Sequence, residues 1–282
     1  MNRFKGRRAI VTGASRGIGA ATCERLAAEG ADLLLVARTV ERHDHLAGSL
    51  HETLERCRRY GTRVEALAAD LADEESRAAI VPRALELFDG RVDILVNNAA
   101  AAIYAPNAGY PLRRRRITFE VNVHAPVDLM QAVVPQMAER GEGWIVNLSS
   151  ASAKLYEGSP SALQGAGRTI GVYGASKAAL NRITNAFAME FADAGVRINT
   201  VEPRAGVMSE GAEQLVGGQL REDQIESMEA MVEAVAALCD CPPERTGRVL
   251  ESLGLLDELG LVVMTLDGSA PYPGGQRPHR AP

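Results

Sequence analysis

The chain lacks any long apolar run. No uninterrupted apolar stretch approaches the roughly 20 residues that a membrane-spanning helix needs, so we expect no membrane span. The first residues, MNRFKGRRAIVTG, lead directly into a short strand and contain no apolar segment typical of a signal peptide. We therefore expect the protein to work in the cytoplasm.

The sequence also has few cysteines and a small net charge. A cytosolic chain of 282 residues does not need disulfides, so Cys23, Cys57, Cys239 and Cys241 are expected to be reduced thiols. Cys239 and Cys241 flank a single Asp, and no histidine or second cysteine pair accompanies them, which argues against a metal site. The net charge of −5 argues against nucleic acid as a partner, because binding phosphates requires a basic face.

What the sequence does contain is a regular alternation of short apolar strands and helices. Strands that are continuously apolar and alternate with helices indicate a parallel sheet covered on both faces. We predict an α/β fold of one domain, a Rossmann-type doubly wound sheet that binds ligands at the carboxyl ends of its strands. The domain is placed at residues 1–265. The Pro- and Gly-rich tail, residues 266–282, is expected to be disordered or to lie on a neighbouring subunit.

The spacing of apolar residues also predicts where the main helices lie. Pro82 is expected to weaken the helix EESRAAIVPRALELF, since proline removes a backbone donor. TGRVLES is expected to form a last edge strand. The other helices are predicted over Leu46–Tyr60, Leu112–Ala138 with interruptions at Pro126 and Pro135, Tyr173–Ala192, Glu210–Val216 and Glu222–Leu238.

A glycine-rich segment, TGASRGIG at residues 12–19, follows the first strand and opens the first helix. That context predicts a loop that binds the phosphates of a dinucleotide, because glycines allow close approach and the helix N-terminus supplies N–H groups. We place the cofactor against the loop residues Gly13, Ser15, Arg16, Gly17, Ile18 and Gly19.

The end of the second strand bears on which dinucleotide binds. An acidic residue there would hold the ribose hydroxyls of NAD, but the strand ends in Ala37 and Arg38. Two guanidinium groups, those of Arg16 and Arg38, suit a 2′-phosphate, so the sequence favours NADP(H) over NAD(H). The alternative is that one or both arginines are merely solvated.

Two further strand ends supply candidate cofactor contacts. Asp70 and Leu71 follow the third strand, and Asn98 and Ala99 follow the fourth. Asp70 has an alternative role as the N-cap of a helix that begins near Asp73, and both roles are compatible.

A tyrosine and a lysine four residues apart, Tyr173 and Lys177, share one face of a predicted helix. A phenol with a pKa near 10 exchanges protons poorly at neutral pH, and a nearby ammonium is expected to lower that pKa by roughly one to three units. Ser150, at the end of the fifth strand, could hold a carbonyl oxygen beside the phenol. The set suits hydride transfer to a carbonyl or from a secondary alcohol.

The order of these motifs, TGASRGIG, NNAA, a strand-end serine and YGASK, resembles the short-chain dehydrogenase/reductase family over about Gly6 to Ser209. The resemblance implies that Tyr173 is the general acid, that Lys177 binds the nicotinamide ribose and that Ser150 polarises the carbonyl. It also implies that Asn122 helps to hold a water next to the lysine, that Asp70 contacts adenine, and that the chain forms a homotetramer or homodimer. The long segment after Arg38, with His43 and His45, looks like the hydroxysteroid-dehydrogenase-like branch.

The sequence departs from that family in two segments, and it also contains a run of four arginines. Residues 203–208 read PRAGVM, in which Pro203 is kept but Arg204 replaces a glycine and the usual threonine is missing, with Ser209 one position late. The interval from Ser150 to Tyr173 is longer than usual, and we expect its Gly- and Ser-rich part around 158–168 to form a flap beside the substrate. Arg113–Arg116 are expected to form a solvated or subunit-pairing surface, or else to bind an acidic substrate.

These departures keep two other functions open. One is a catalytically silent protein that binds the cofactor as an interaction module, which the altered 203–208 segment suggests. The other is a reductase of enoyl or imine substrates, since loops can redirect the chemistry of one scaffold.

Overall fold

A computed structural model describes residues 2–41, 47–159, 165–216 and 220–278. Seven parallel strands form one sheet in the order β3-β2-β1-β4-β5-β6-β9, and β7 and β8 form a separate two-stranded sheet. The strands are β1 Arg8–Thr12, β2 Asp32–Ala37, β3 Val64–Ala68, β4 Ile94–Asn97, β5 Gly143–Leu148, β6 Val196–Glu202, β7 Gly206–Val207, β8 Ile225–Glu226 and β9 Val249–Glu251.

Helices cover both faces of the large sheet, which confirms the predicted doubly wound fold. Strand order reverses between β1 and β4, so the loops after these two strands diverge and leave a crevice for a ligand. The helices are α1 Gly17–Ala28, α2 Leu50–Arg58, α3 Glu74–Ala78, α4 Ile80–Leu87, α5 Leu112–Phe119, α6 Ala125–Arg140, α7 Gly171–Glu190, α8 Glu210–Val216, α9 Met228–Leu238 and α10 Ser252–Leu259.

Each face of the sheet has its own apolar core. Side chains of α1, α2, α9 and α10 pack on one face, and side chains of α4, α6 and α7 pack on the other. Successive side chains of a strand point to opposite faces, so the fully buried neighbours Ile10 and Val11 belong to different cores. Burial on both faces explains why these strands are continuously apolar. Among the described residues, no helix is both long and apolar enough to cross a membrane.

The helix predicted over Leu112–Ala138 is interrupted at a different place and by a different cause. Its break is a π-helical turn, Glu120–His124, between α5 and α6. Pro126 lies at the start of α6, where a missing backbone N–H costs little, and Pro135 lies inside α6 without ending it. A π turn has no strong signal in the amino-acid composition. The prediction relied on the prolines and therefore placed the interruption at the wrong residues.

Two other helices begin later in the structure than the sequence predicts. In α2, Ser49 Oγ accepts a hydrogen bond from Glu52 N at 3.1 Å, and this N-cap starts the helix at Leu50 rather than Leu46. Residues 42–46, including His43 and His45, lie outside the described residues.

The helix predicted over Glu222–Leu238 starts only at Met228. A 3₁₀ turn and β8 precede it, because Ile225 and Glu226 pair with Gly206 and Val207 of β7. That pairing is between residues distant in sequence and leaves no local pattern.

The prediction for the tail is wrong for the part that the structure describes. Residues 263–278 fold back on their own chain: Met264 bridges Pro271, and Tyr272 N donates to Val263 O at 2.8 Å. Farther along, Gln276 O accepts from Ser227 N at 2.9 Å. Backbone hydrogen bonds rather than apolar side chains make most of these contacts, so composition did not reveal them.

Candidate active site

The glycine loop between β1 and α1 requires glycine for steric reasons. Gly13 and Gly17 have φ angles of +67° and +55°, which side chains strongly disfavour. A Cβ at Gly13 would lie 2.7 Å from Asn98 Nδ2, and one at Gly19 would overlap both Gly13 O and Asn98 Nδ2. The loop thus presents bare backbone at the N-terminus of α1, as a diphosphate requires.

Threonine and asparagine side chains join the loops that follow β1 and β4. Asn98 Nδ2 donates to Thr12 O at 2.9 Å and to Gly13 O at 3.2 Å. In return, Thr12 Oγ1 accepts from the backbone N–H groups of Asn98 and Ala99, each at 3.1 Å. Thr12 was not among the predicted site residues, although it opens the glycine motif.

A cavity of about 660 Å³ runs from the glycine loop past the ends of β2 and β3. Arg16 and Arg38 both line it, as predicted, and Arg16 Nη2 donates to Thr39 Oγ1 at 3.4 Å. Arg38 Nη1 lies 4.0 Å from Asp70 Oδ2, and its side chain is 72% exposed. The other predicted cofactor residues that line this cavity are Gly13, Ser15, Gly17, Ile18, Leu71, Asn98 and Ala99.

Asp70 is not the N-cap of α3. Asp73 has that role, because its Oδ2 accepts from Ser76 N at 2.8 Å. Asp70 Oδ1 instead accepts from Ala72 N at 3.0 Å, which holds the carboxylate at the cavity wall.

A second cavity, of about 950 Å³, contains the predicted catalytic residues. Tyr173, Lys177 and Ser150 all line it, and Pro203 forms part of its opposite wall. Ile18 lines both cavities, so the catalytic residues adjoin the dinucleotide cavity. The structure therefore brings together residues that are 160 positions apart in the sequence, as Gly13 and Tyr173 are.

The hydroxyl group of Ser150 lies close enough to that of Tyr173 to oppose the rise in the pKa of the phenol. Ser152 Oγ donates to Ser150 Oγ at 2.9 Å, which helps to orient this serine. The ring of Tyr104 lies 5.6 Å from that of Tyr173, measured between centroids, and lines the same cavity. Sequence reasoning did not identify Tyr104, which carries no motif.

The pKa of Tyr173 moves in the opposite direction to the predicted one. The phenol is 8% exposed, and burial raises its pKa, while the hydrogen bond with Ser150 opposes that rise. Lys177 is 1% exposed; its Nζ donates to Leu148 O at 2.6 Å and lies 5.9 Å from the Tyr173 ring centroid. Burial lowers the pKa of Lys177 to about 8. Burial is the largest cause of both shifts, because it disfavours the charged form of each group.

Asn122 lies behind the cavity rather than in its wall. It occupies the π turn, is fully buried, and its Oδ1 accepts from Ala101 N at 2.7 Å. Asn122 Nδ2 donates to Ser176 Oγ at 3.0 Å, and Ser176 Oγ donates to Tyr173 O at 2.6 Å. In the structure its side chain thus connects α7 to the loop after β4.

A buried carboxylate supports the altered segment after β6. Glu226 is 1% exposed, and its Oε2 accepts from Arg204 N at 3.2 Å and from Ala205 N at 3.4 Å. Ser252 Oγ lies 2.9 and 2.8 Å from the two carboxylate oxygens. Burial raises the pKa of Glu226 to about 7. The side chain of Arg204 is half exposed, with Nε 2.9 Å from Glu251 Oε1.

Ser209 does not simply replace the missing threonine. Its Oγ caps α8 by accepting from Ala212 N at 3.2 Å. The next residue, Glu210, reaches the glycine loop, where its Oε2 accepts from Gly17 N at 3.0 Å. A carboxylate thus contacts the N-terminus of α1, where a cofactor phosphate is expected.

Two other polar residues of the long loop do not line the cavity that contains Tyr173. Lys154 Nζ lies 2.7 Å from Glu202 Oε1, away from the phenol. Tyr156 is 51% exposed, packs against Gly158 and does not line the cavity. The predicted flap falls largely on residues 160–164, which lie outside the described residues. Arg113–Arg116 are all exposed on α5.

The two adjoining cavities fit a nicotinamide dinucleotide. The glycine loop leaves space that side chains at the glycine positions would fill. Arg16 and Arg38 line the first cavity, and the buried pair Tyr173 and Lys177 lines the second. Among the described residues, no group of three His, Cys, Asp or Glu side chains could hold a metal ion.

Comparisons with known proteins agree with this geometry. The family model for short chain dehydrogenases matches residues 7–216. A 1,6-dihydroxycyclohexa-2,4-diene-1-carboxylate dehydrogenase of Pseudomonas putida is 35% identical over 202 residues, which cover 71% of this chain and 67% of the relative. Hydroxysteroid dehydrogenase-like protein 2 of Bos taurus is 28% identical over 255 residues, covering 89% of this chain and 58% of the relative.

A solved structure extends the match to the fold. The 3-oxoacyl (acyl-carrier-protein) reductase of Agrobacterium tumefaciens C58, with NADP bound, superposes with a TM-score of 0.71 at 29% identity, covering 88% of this chain and 93% of that one. The chain belongs to the short-chain dehydrogenase family. It is an NAD(P)-dependent oxidoreductase that acts on CH–OH and C=O groups.

Proposed function

We propose that the protein is an NADP(H)-dependent carbonyl reductase or alcohol dehydrogenase in which Tyr173 is the general acid and base. The observation that carries this proposal is that Ser150, Tyr173 and Lys177 line one cavity, and that this cavity adjoins the glycine loop. A protein that only bound the cofactor would not require this buried arrangement.

The residues divide the proton chemistry among themselves. When bound, a reduced nicotinamide supplies a hydride to the carbonyl carbon. Ser150 Oγ donates a hydrogen bond to the carbonyl oxygen and holds it beside the phenol. Tyr173 gives its proton to that oxygen, so the product is a neutral alcohol, and the phenolate then regains a proton from solvent. Oxidation of the alcohol reverses each step.

Lys177 stabilises the phenolate that forms when Tyr173 gives up its proton. The pKa of Tyr173 is raised by burial, so the hydroxyl is protonated and ready to donate at neutral pH. The charged form of Lys177 favours the phenolate electrostatically, since its Nζ lies within 6 Å of the ring. We expect the ammonium also to contact the nicotinamide ribose, and Asn122 to help hold a water near it.

The preference for NADP(H) over NAD(H) rests on the cavity lining at the end of β2. Arg16 and Arg38 approach it from two loops, and Arg38 is largely exposed and only loosely paired with Asp70. Guanidinium groups bind a phosphate dianion well, and no acidic residue stands at the carboxyl end of β2 to oppose it. Fluorescence titration should give a lower Kd for NADPH than for NADH, and Arg38→Ala should reduce the difference. Equal Kd values for the two cofactors would contradict this preference.

Tyr173→Phe tests the reaction itself, because it removes the proton donor with little change in volume. We expect reduction of a carbonyl substrate to slow by roughly a hundredfold or more, with NADPH binding retained. Tyr156→Phe is the matched control, since that tyrosine lies in the loop that precedes α7 and does not line the cavity. Unchanged turnover in Tyr173→Phe would refute the mechanism. Tight NADPH binding by the wild type without turnover of a broad panel of ketones, aldehydes, enones and imines would favour a silent binding module.

We propose a homodimer or homotetramer that pairs through α5, α6 and α7, with one catalytic domain over residues 1–265 and a tail over 266–282. The four cysteines are buried and free, as a reducing cytoplasm would allow. The resemblance to the hydroxysteroid-dehydrogenase-like relative supports membership of that branch. Light scattering that found only monomer at micromolar concentration would contradict the assembly.

A further inference from the structure

The cavity that contains Tyr173 is also lined by basic side chains that the catalytic mechanism does not use. Arg204 and Arg277 both line the cavity that contains Tyr173, and Gln224 and Gln276 line it as well. Arg204 stands where the family usually has glycine, and Arg277 belongs to the tail. Neither residue belongs to a recognised catalytic motif, so a separate role is open to them.

Both ends of Arg204 are held in place. Its backbone N–H donates to the buried carboxylate of Glu226 and approaches Ser252 Oγ at 3.2 Å. Its Nε lies 2.9 Å from Glu251 Oε1, which orients the guanidinium while leaving the side chain 53% exposed. A guanidinium has five N–H donors in one plane, more than a single-oxygen contact can satisfy.

The tail segment that carries Arg277 is fixed to the residue next to Glu226. Ser227 N donates to Gln276 O at 2.9 Å, and Ser227 Oγ donates to Gly275 O at 2.8 Å. Gln276 Nε2 also donates to Asp257 Oδ1 at 2.8 Å. Arg204 is anchored to Glu226, and the tail segment that carries Arg277 is anchored to the next residue, Ser227. Because these two anchors are consecutive, both arginines belong to segments held at the same part of the cavity wall.

A buried ionic cluster anchors the start of the same tail. Arg25 Nη1 donates to Thr265 O at 3.0 Å, and Glu233 Oε2 accepts from Met264 N at 3.3 Å. Arg25 and Glu233 are bonded to each other, and Arg25 Nε also donates to Glu29 Oε1 at 2.5 Å. Arg25 is 1% exposed, so these contacts are sheltered from water. The tail is therefore an integrated wall of the cavity.

The charges around this wall favour a ligand with a single negative charge. No hydrogen bond or salt bridge joins the side chain of Arg277 to another described residue, although Arg277 lies near enough to Asp223 to help lower the pKa of that carboxylate. Asp223 also lines the cavity; its carboxylate is bonded to Arg221 at 3.0 Å. Asp223 would repel a dianion more strongly than a monoanion, which disfavours a phosphate group. Planar guanidinium groups bind carboxylates through paired hydrogen bonds.

We propose that Arg204 and Arg277 form a subsite for a carboxylate group, so that the substrate is a keto acid or the corresponding hydroxy acid. This inference rests on the proposed function, because it assumes that the carbonyl lies at Tyr173. The carboxylate lies at the outer end of the cavity and sets the orientation of the carbonyl at the inner end. Apolar residues that also line the cavity, among them Met208 and Leu253, would contact the carbon skeleton.

The test compares a carboxylate with its neutral counterpart. A cyclohexanone carboxylate and a short linear keto acid are each paired with their own carboxamide, and binding to the NADPH-loaded protein is measured by calorimetry alongside turnover. We expect the carboxylates to bind the wild type more tightly than the amides. In Arg204→Gln and Arg277→Gln, carboxylate binding should weaken by roughly tenfold to a hundredfold, while binding of the amides changes little.

Arg58→Gln is the matched control, since it removes an exposed arginine on α2 far from the cavity. Lysine at either position should recover part of the carboxylate affinity. The proposal is overturned if the wild type does not prefer the carboxylates, or if both cavity variants behave like Arg58→Gln. Arginine-dependent binding of carboxylates without turnover would support the subsite and count against the proposed reaction. Turnover of neutral ketones without a preference for carboxylates would support the proposed reaction and count against the subsite.

Discussion

Replacing the buried Glu226 by glutamine should change the pH dependence of stability. Glutamine keeps the size of the side chain and an acceptor oxygen for the backbone N–H groups of Arg204 and Ala205. It also keeps a partner for Ser252, whose hydroxyl can accept from the amide. The substitution therefore removes the ionisable group and keeps similar hydrogen bonds around it.

The magnitude follows from the shift in the pKa of this carboxyl group. Burial raises the pKa of Glu226 from 4.5 to about 7, because the charged form is poorly solvated inside the protein. Each pKa unit corresponds to about 1.4 kcal/mol, so ionisation of Glu226 costs the folded state about 3 kcal/mol. The stabilising contribution of the neutral carboxyl is complete below the unfolded pKa of 4.5 and is lost as the pH rises through about 7. Between about pH 5 and pH 8 the loss is about 2 kcal/mol.

Urea unfolding of both proteins at about pH 5 and pH 8 measures this loss. The unfolding free energy of Glu226→Gln relative to the wild type should rise by about 2 kcal/mol between the two pH values. Glu86→Gln is the control, since its side chain is 72% exposed and should give no such change. A difference between Glu226→Gln and the wild type that is equal at both pH values would refute the reasoning.

Two more substitutions test the cofactor cavity. Glu210→Gln should tighten NADPH binding by roughly threefold, because it removes a negative charge bonded to Gly17 N where a phosphate must approach; fluorescence titration showing equal or weaker binding would contradict this. Gly19→Ala should lower the unfolding free energy by about 1–3 kcal/mol and weaken NADPH binding, because the added Cβ overlaps Asn98 Nδ2. Gly109→Ala is the control, because a Cβ there would meet no atom within 4 Å. It should change neither the unfolding free energy measured with urea nor the Kd for NADPH measured by titration. An equal effect of the two alanines would exclude the steric explanation.

Local sequence predicted the residues of the site better than it predicted their electrostatic state. Tyr173 and Lys177 could be placed on one helix face because four-residue spacing fixes that geometry. The direction of the Tyr173 pKa shift could not be predicted, because it depends on burial by residues such as Tyr104 from another loop. Arg38 and Arg16 could likewise be assigned to one end of the sheet from their strand-end positions alone.

Contacts between distant segments were outside the reach of the sequence. Nothing near Glu226 indicates that it supports the Arg204 backbone, and nothing near Gln276 indicates that the tail packs on Ser227. Such contacts join residues 22 to 49 positions apart and use backbone groups that every residue carries. The π turn at Asn122 is of the same kind, because packing rather than composition sets its place.

The sequence by itself determined the class of fold, the glycine loop, the tyrosine–lysine pair and the family. These depend on short-range periodicity and on glycine or strand-end positions, which are local properties of the chain. Only the tertiary structure decided the surroundings of the catalytic phenol, the carboxylate beneath Arg204 and the place of the tail. Burial and long-range hydrogen bonding produce those features, and they arise only once distant segments have packed together.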